Sequence, residues 1–193
     1  MDKYEKGGIV VTILIQLGFM FAGFLEGRFW FYPDNLIFIA LAIIAYVYFD
    51  RLRLNIGMLI LANVFFVLHA LGFADFYALN LLGIPYDKIL HWYGFVVVSI
   101  LLMRVLPKRM KLTNLKKFLI IVLMCVGIGG ITEMVEFSGF YFLGEGEGFF
   151  FFGAGDGGSK LQGSWQNAMT DMMANLLGAI TGVILVLVSK KFS

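Results

Sequence analysis

The chain has 193 residues, of which 60% are hydrophobic and only 15% are charged. An average soluble domain carries about 25% charged residues, so this composition excludes an ordinary soluble protein. The formal net charge of +2 is too small for the strongly basic face that nucleic acid requires, and nucleic acid is therefore excluded as a partner.

Six apolar segments are candidates for membrane-spanning helices, because a hydrocarbon core about 30 Å thick takes about 20 apolar residues in a helix. In chain order they are residues 8–25, 36–49, 56–73, 89–106, 118–137 and 168–188. The second is the weakest, since it reaches a plausible length only with Phe31, Tyr32 and the residues after Pro33. The sequence predicts an all-α, polytopic transmembrane helical bundle of about six spans, with residues 1–193 as a single integral membrane domain.

The basic residues indicate how this bundle is oriented, because cytoplasmic loops collect Lys and Arg. Twelve of the fifteen lie at the termini and in the second and fourth loops, whereas the other three loops carry only Arg28, Lys88 and Lys160. Both termini are therefore predicted to be cytoplasmic. Lys3 and Lys6 could instead begin a signal peptide, but the apolar run is long and no clear small-x-small cleavage site follows, so we favour an uncleaved first helix.

Ten of the thirteen acidic residues and both histidines fall on the predicted outer side. Three pairs at helical spacing stand at the outer ends of the last three spans: Asp87 with His91, Glu133 with Glu136, and Asp171 with Asn175. Each pair shares one helix face. Gly129, Gly178 and Gly182 continue two of these faces inward, and small residues let membrane helices approach closely. We expect the three faces to meet.

Converging carboxylates in a poorly solvated place cannot all remain unpaired anions. Some must be protonated, bonded to the histidine or bound to a cation. The candidate catalytic residues, acting as acid–base groups, are Glu133, Glu136, Asp171, His91 and Asp87. Carboxylates with one imidazole suit Mg²⁺, Mn²⁺ or Zn²⁺. The candidate ligands of a divalent metal ion are Glu133, Glu136, Asp171 and His91.

Each pair also has a purely structural interpretation. Asp87 is placed to cap the fourth helix, and His91 to anchor it at the membrane interface. The two glutamates could hold helices together, and Asp171 with Asn175 could form a cap or an interhelical hydrogen bond. Three further polar residues within the first and third spans are interpreted as packing groups: Thr12, Gln16 and Asn63.

The fifth loop, residues 138–164, carries nine glycines together with Glu145, Glu147 and Asp156. It is too polar and glycine-rich to be predicted as a helix. Its four consecutive phenylalanines, residues 149–152, either settle at the level of the lipid headgroups or belong to a lid over the carboxylates. The acidic residues lack the spacing of an EF-hand, so the loop does not specify a calcium site.

Several of these residues stand in the order and spacing of known membrane proteins. The chain resembles VanZ-like proteins, whose pattern is D-K-x-x-H, E-x-x-E/Q and D-x-x-x-N-x-x-G-A. The matching stretches are Asp87-Lys88-x-x-His91, a later acidic pair and Asp171-x-x-x-Asn175-x-x-Gly178-Ala179. The chain is more closely similar to YjdF-like proteins, through His69-Ala70-Leu71-Gly72 with Tyr77, Tyr86-Asp87-Lys88, Glu133-Met134-Val135-Glu136 and Trp165-x-x-x-x-x-Asp171-Met172-Met173.

This resemblance covers about residues 60–185. It divides the chain into two N-terminal spans, residues 1–55, and a VanZ/YjdF-like region of four spans, residues 56–193. It implies a multi-pass protein of a prokaryotic inner or plasma membrane, and it adds Asn175, His69 and Trp165 as candidate substrate-binding residues. VanZ itself is associated with resistance to the glycopeptide teicoplanin, but no established reaction comes with the likeness.

Three functions follow as hypotheses. The first is an outward-facing site that binds or processes a lipid or lipid-linked headgroup, which makes a membrane lipid or lipid-linked molecule the partner. The second is a small-ion or proton-coupled transporter, although no second acidic cluster lies near the inner half. The third is a structural or partner-binding membrane protein whose acids only hold helices together. The sequence favours the first.

Overall fold

The computed structural model describes residues 1–27, 32–72, 76–106, 112–143 and 164–189. Within them the chain forms six long helices: α1 (Lys3–Glu26), α2 (Tyr32–Val47), α3 (Ile56–Gly72), α4 (Tyr86–Val105), α5 (Asn114–Leu143) and α6 (Ser164–Val188). Each contains most of one predicted apolar segment. Four of them, α1, α4, α5 and α6, have the length and apolarity of membrane spans, whereas α2 and α3 are apolar but shorter. The all-α transmembrane fold is confirmed in this form.

The ends of α1 follow from local sequence. Asp2 accepts a hydrogen bond from the Glu5 backbone, and the Glu5 side chain accepts one from the Asp2 backbone, which together satisfy N–H groups that a helix start leaves unpaired. Gly27, at φ 67°, ends the helix in the left-handed conformation that glycine adopts without steric cost.

A short hairpin connects α3 to α4. After a 3₁₀ turn at Phe76–Ala78, strand β1 (Asn80–Leu81) pairs antiparallel with strand β2 (Ile84–Pro85). Both residues between the strands, Leu82 and Gly83, have positive φ, as a tight hairpin turn requires. Helix α4 begins directly after Pro85, so the hairpin sets where the first turn of α4, with Asp87, is placed.

Helices α4 and α6 run parallel and in very close contact. A Cβ atom at Gly178 would collide with the carbonyl oxygen of Trp92, and one at Gly182 would lie 2.6 Å from the carbonyl oxygen of Val96. Because real Cβ atoms essentially never come that close, only glycine fits at these positions. The interpretation of the Gly-x-x-x-Gly pair as a packing motif agrees with this contact.

Helix α5 packs antiparallel against α6. Below the polar end of these helices, an apolar core fills the space between α4, α5 and α6 with Phe95, Ile121, Cys125, Ala179 and Val183. Helices α1 and α2 form an antiparallel pair that packs against α3. This second unit has its own apolar core at the end where α1 begins.

The start and end of the fifth loop differ from the prediction. Helix α5 continues to Leu143, so residues 138–143 are helical, and α6 begins at Ser164, four residues before the predicted start. In α5 the apolar run is only interrupted by Ser138 and Gly139 and resumes at 140–143. The added first turn of α6, residues 164–167, is mostly polar, and a helix can extend beyond its apolar stretch because backbone hydrogen bonds need no apolar side chains outside the hydrocarbon core. The remainder of the loop, with Glu145, Glu147, Asp156 and residues 149–152, lies outside the described residues.

Candidate functional site

The three predicted polar faces meet where α4 and α6 begin and α5 approaches its end. Asp87 from α4, Glu133 from α5, and Asp171 and Asn175 from α6 are all at most 4% exposed. The approach of α5 is also glycine-dependent, because a Cβ at Gly129 would lie 3.0 Å from the Asn175 amide nitrogen. The expectation that these faces converge is confirmed.

His91 occupies the centre of this group. Its Nε2 atom lies 3.4 Å from Asp87 Oδ1 and 3.6 Å from Asp171 Oδ1. Its Nδ1 atom lies 3.0 Å from Asn175 Oδ1 and 3.5 Å from Glu133 Oε1. One ring nitrogen therefore faces the two aspartates and the other faces Glu133 and Asn175. His91 therefore lies among the acids.

The capping interpretations of the two aspartates are wrong. Pro85 is the N-cap residue of α4, and Asp87 lies inside the first turn, where its carboxylate contacts His91 and Lys88 instead of free backbone N–H groups. Asp171 lies two turns inside α6, because that helix begins at Ser164. Both Asp171 and Asn175 make the interhelical hydrogen bonds that were the alternative to capping. Asp171 accepts from Lys88 at 2.7 Å, and Asn175 donates to Glu133 Oε1 at 3.4 Å.

Two residues of the site were missed by sequence reasoning, Lys88 and Asn167. The ammonium of Lys88 lies 2.6 Å from Asp87 Oδ2 and 2.7 Å from Asp171 Oδ1, and it donates to Asn167 Oδ1 at 2.5 Å. Asn167 in turn donates to Asp171 Oδ2 at 2.9 Å. The ammonium thus donates hydrogen bonds to Asn167 and Asp171 and forms a close ion pair with Asp87.

The sequence contains a pattern that indicates Asn167 but none that indicates Lys88. Asn167 precedes Asp171 by four residues and so lies on the face that already carried Asp171 and Asn175. Lys88 follows Asp87 directly, and consecutive side chains point about 100° apart around a helix. A search for polar residues on the face of Asp87 therefore misses Lys88. Its long side chain reaches back across that angle.

Two overlapping groups have the geometry to hold a metal ion. The ligand atoms of Asp87, His91 and Asp171 lie within 4.8 Å of one another, and so do those of His91, Glu133 and Glu136. All five candidate catalytic residues, and with them all four candidate metal ligands, thus belong to one cluster. The first group already contains the Lys88 ammonium. The second contains no cationic side chain other than the shared histidine.

The three candidate substrate-binding residues are placed differently. Asn175 lies in the cluster. His69 lies between α2 and the 3₁₀ turn, with Nε2 3.9 Å from Asp34 Oδ2 and Nδ1 3.1 Å from the Tyr77 hydroxyl. Trp165 is 68% exposed at the start of α6. Its ring packs edge-on against Phe137 of α5, with 6.3 Å between ring centroids, beside the half-buried Glu136.

Comparison with known proteins identifies a family. Residues 8–191 match the model of the family described as predicted membrane protein (DUF2238). No curated protein and no solved structure matches the chain. The family match includes the first two helices, which the resemblance drawn from sequence motifs left unassigned, together with the helices that form the cluster.

Proposed function

The chain belongs to the DUF2238 family of predicted membrane proteins, and we propose that its carboxylate–histidine cluster binds a divalent cation and, through it, the anionic headgroup of a lipid or lipid-linked molecule. The observation that carries this proposal is the excess of acid at the cluster. Four carboxyl groups from three membrane helices surround one histidine, and the only Lys or Arg side chain that contacts them in the described part of the chain is Lys88.

The charge excess must be relieved by protonation or by a bound cation. A lone acidic side chain at the centre of a membrane helix costs about 2.5–3.5 kcal/mol on insertion scales, and carboxylates brought together repel one another in addition. The ammonium of Lys88 offsets only one of the four charges. A divalent cation would offset two more, so that the group could remain ionised inside the bundle.

The second group, formed by His91, Glu133 and Glu136, is the better candidate seat for this cation. Lys88 already fills the space between Asp87 and Asp171, so a metal ion there would have to displace an ammonium. Histidines that bind metal typically donate their other ring N–H to a carboxylate, which fixes the ring. In His91, Nε2 faces the two aspartates as this pattern requires, while Nδ1 would exchange its contact of 3.0 Å with Asn175 Oδ1 for the metal ion beside Glu133.

The ligand set also indicates what the cation would recognise. Mg²⁺ is usually held by one or two carboxylates and completes its shell with water and substrate phosphate oxygens. Two glutamates with one imidazole leave such positions open. Glu136 is half-buried, in contrast to the buried Glu133, and the next residue, Phe137, packs against the exposed Trp165. Aromatic residues of this kind mark the level of lipid headgroups.

The remaining features of the proposal come from the sequence. The positive-inside distribution predicts that the cluster faces the outer side, with both termini cytoplasmic. The resemblance to YjdF-like and VanZ-like proteins implies the cell membrane of a prokaryote. The likeness to YjdF-like and VanZ-like proteins supports the choice of site, because the three motifs that carry it contribute Asp87, His91, Glu133, Asp171 and Asn175. Processing of the bound headgroup would use the same acids to donate and accept protons.

The proposed binding of a divalent cation is tested by measuring the metal content of the purified protein. The full chain is purified in detergent, incubated with Mn²⁺, desalted and analysed by mass spectrometry. We expect a stoichiometric metal in the wild type and in a matched control, Glu26→Ala/Asp50→Ala, which also loses two carboxylates but away from the cluster. The double variant Glu133→Ala/Glu136→Ala should lose it. Equal Mn²⁺ in all three proteins, or none in the wild type, contradicts a metal seat at these glutamates.

The headgroup half is tested by binding of short-chain phosphatidylglycerol to the same three proteins, with and without Mn²⁺. We expect binding that depends on Mn²⁺ and is lost in Glu133→Ala/Glu136→Ala. Phosphatidylcholine and inorganic phosphate serve as comparisons, and equal binding of inorganic phosphate would identify a free anion as the ligand. Metal without any lipid binding would contradict the headgroup and favour cation transport.

A further inference from the structure

A second set of buried polar groups lies in the unit formed by α1, α2 and α3. Gln16, near the middle of α1, is fully buried, and neither atom of its side-chain amide has a hydrogen-bond partner within the described residues. Asp34, in the first turn of α2, is 4% exposed, and its Oδ1 atom also has no such partner. In a bilayer there is no surrounding water to satisfy such groups, so each demands a specific explanation.

The two residues lie at the same depth in this unit. Ile9 of α1 and Ala42 of α2 belong to one buried apolar core. Two helical turns farther along the same faces, in the direction of the other end, are Gln16 on α1 and Asn35 on α2. The hydrogen bond from the Tyr32 hydroxyl to the Met20 carbonyl, 2.8 Å long, agrees with this register. Asp34 precedes Asn35 by one residue and is buried too.

Helices that pack together have axes about 8–10 Å apart. Buried side chains of adjacent helices at one depth therefore lie within reach of a common small ligand. Gln16 reaches this interior from α1 and Asp34 from α2, where Asp34 is turned toward His69 of α3. The unpartnered oxygens, Oε1 of Gln16 and Oδ1 of Asp34, are both acceptors. An interior of this kind attracts a cation and not an anion.

Among the described residues no Lys or Arg side chain forms an ion pair with Asp34, whose one ionic contact is with His69. The contact of 3.9 Å between its Oδ2 atom and His69 Nε2 is too long for a hydrogen bond. Helices α2 and α3 contain no Lys or Arg, and α1 contains none after Lys6. One carboxylate is balanced by a single positive charge, whereas a divalent ion would leave an excess in the bilayer.

We propose that Asp34 and Gln16 bind a monovalent cation of the size of Na⁺ between α1 and α2. Hard cations take oxygen ligands, and a carboxylate with an amide carbonyl supplies two of them. Helical membrane proteins commonly bind Na⁺ with oxygens deep in the bundle. This site shares no residue with the cluster of α4, α5 and α6. Its test is therefore independent of the test for the divalent cation proposed there.

The test compares thermal unfolding of the detergent-purified full chain in NaCl and in choline chloride at equal ionic strength. A cation that binds the folded state alone raises the unfolding midpoint in proportion to its occupancy. We expect a midpoint several degrees higher in NaCl for the wild type, and no difference between the salts for Asp34→Asn or Gln16→Leu. Glu133→Gln, a charge-removing change in the other cluster, should keep the full NaCl effect.

Equal midpoints of the wild type in the two salts would overturn the proposal and leave ordered water as the partner of these groups. An NaCl effect that persists in both variants would place the ion elsewhere and overturn it as well. If Asp34→Asn does not fold, Gln16→Leu carries the test, because leucine has about the volume of glutamine and only the amide is lost. Broadening of the ²³Na resonance by the wild type, absent in Gln16→Leu, is the direct readout.

Discussion

The two halves of this molecule differ in whether their buried polar groups have partners. In the unit of α4, α5 and α6, Asp171 bonds Lys88 and Asn167, and Asn175 contacts both His91 and Glu133. Even Asp87 Oδ2, which has no hydrogen bond of good geometry, lies 2.6 Å from an ammonium. In the unit of α1, α2 and α3, Gln16 and one oxygen of Asp34 have no such partner among the described residues.

This difference separates two uses of polar residues inside a membrane. A satisfied network fixes the helices that contribute to it, because each bond is strong where the dielectric constant is low. An unsatisfied group stabilises nothing by itself and becomes favourable only when a ligand or water arrives. The contrast predicts that like substitutions in the two halves have unlike effects.

The largest effect on stability is expected for Lys88→Met, which would leave buried polar groups in the unit of α4, α5 and α6 without a partner, as in the unit of α1, α2 and α3. Loss of the ammonium leaves Asp87 and Asp171 buried with His91 as their only partner of opposite charge. Breaking a buried ion pair costs about 3–5 kcal/mol. Unfolding of the purified protein in detergent measures this cost, with the exposed Lys116→Met as control. Mn²⁺ should restore part of the loss, since the first group is then free for a cation; equal stability of the two variants contradicts the network.

A smaller effect is expected for Gly178→Ala, which forces α4 and α6 apart and so disturbs every contact between their polar residues. Overpacking typically costs about 1–3 kcal/mol, and the collision with backbone at Trp92 puts this change at the upper end. Gly127→Ala is the control, since its Cβ would meet nothing within 4 Å. Thermal unfolding should separate the two, with Gly127→Ala equal to the wild type or slightly more stable. Similar destabilisation by both would argue against the close contact.

Replacing a buried amide by leucine in each unit compares an amide that has partners with one that has none. Asn175→Leu removes an amide with partners and leaves His91 and Glu133 short of a bond, so it should lower the free energy of unfolding by about 1–3 kcal/mol. Gln16→Leu removes an amide without partners and should raise it by about 1 kcal/mol in sodium-free buffer. Paired unfolding curves in choline chloride measure both. Changes of the same sign would contradict the distinction between the halves.

The smallest effect is expected for Glu136→Gln. Removing one charge from an acid-rich cluster relieves repulsion, so without divalent ions this variant should be more stable than the wild type by less than about 1 kcal/mol. Saturating Mn²⁺ should reverse the order, because the wild type then gains a bound ion that the variant holds weakly. An unchanged order in Mn²⁺ would show that Glu136 is not a ligand.

Much of the cluster could be predicted from the sequence because helical periodicity alone places residues on faces. Spacings of three and four grouped Asp87, His91, Glu133, Asp171 and Asn175, and the same periodicity contained the overlooked Asn167. Apolar length located six helices and correctly marked α2 as short.

The rest depends on information that periodicity does not hold. Lys88 joins the site through the reach of a flexible side chain across a helix face. The capping role expected for Asp87 failed because the hairpin before α4 ends in Pro85, which starts the helix one turn earlier than its apolar stretch suggests. His69 lies with Asp34 and Tyr77, and a short motif does not tell which neighbour a side chain will face. The continuation of α5 past residue 137 was missed because Ser138 and Gly139 interrupt the apolar stretch, although apolar residues resume at 140–143.

The glycine contact between α4 and α6 also bears on which ions the molecule can distinguish. With Gly178 and Gly182 against the α4 backbone, and Gly129 against Asn175, the helices that carry the carboxylates cannot draw closer. Mg²⁺ and Mn²⁺ ask for compact, nearly octahedral shells with Mg–O distances of about 2.0–2.1 Å, whereas Ca²⁺ takes longer bonds, about 2.3–2.6 Å, and more ligands. Backbone contact fixes the spacing of α4 and α6, so a cation site between these helices and α5 should discriminate by ionic radius between cations of equal charge.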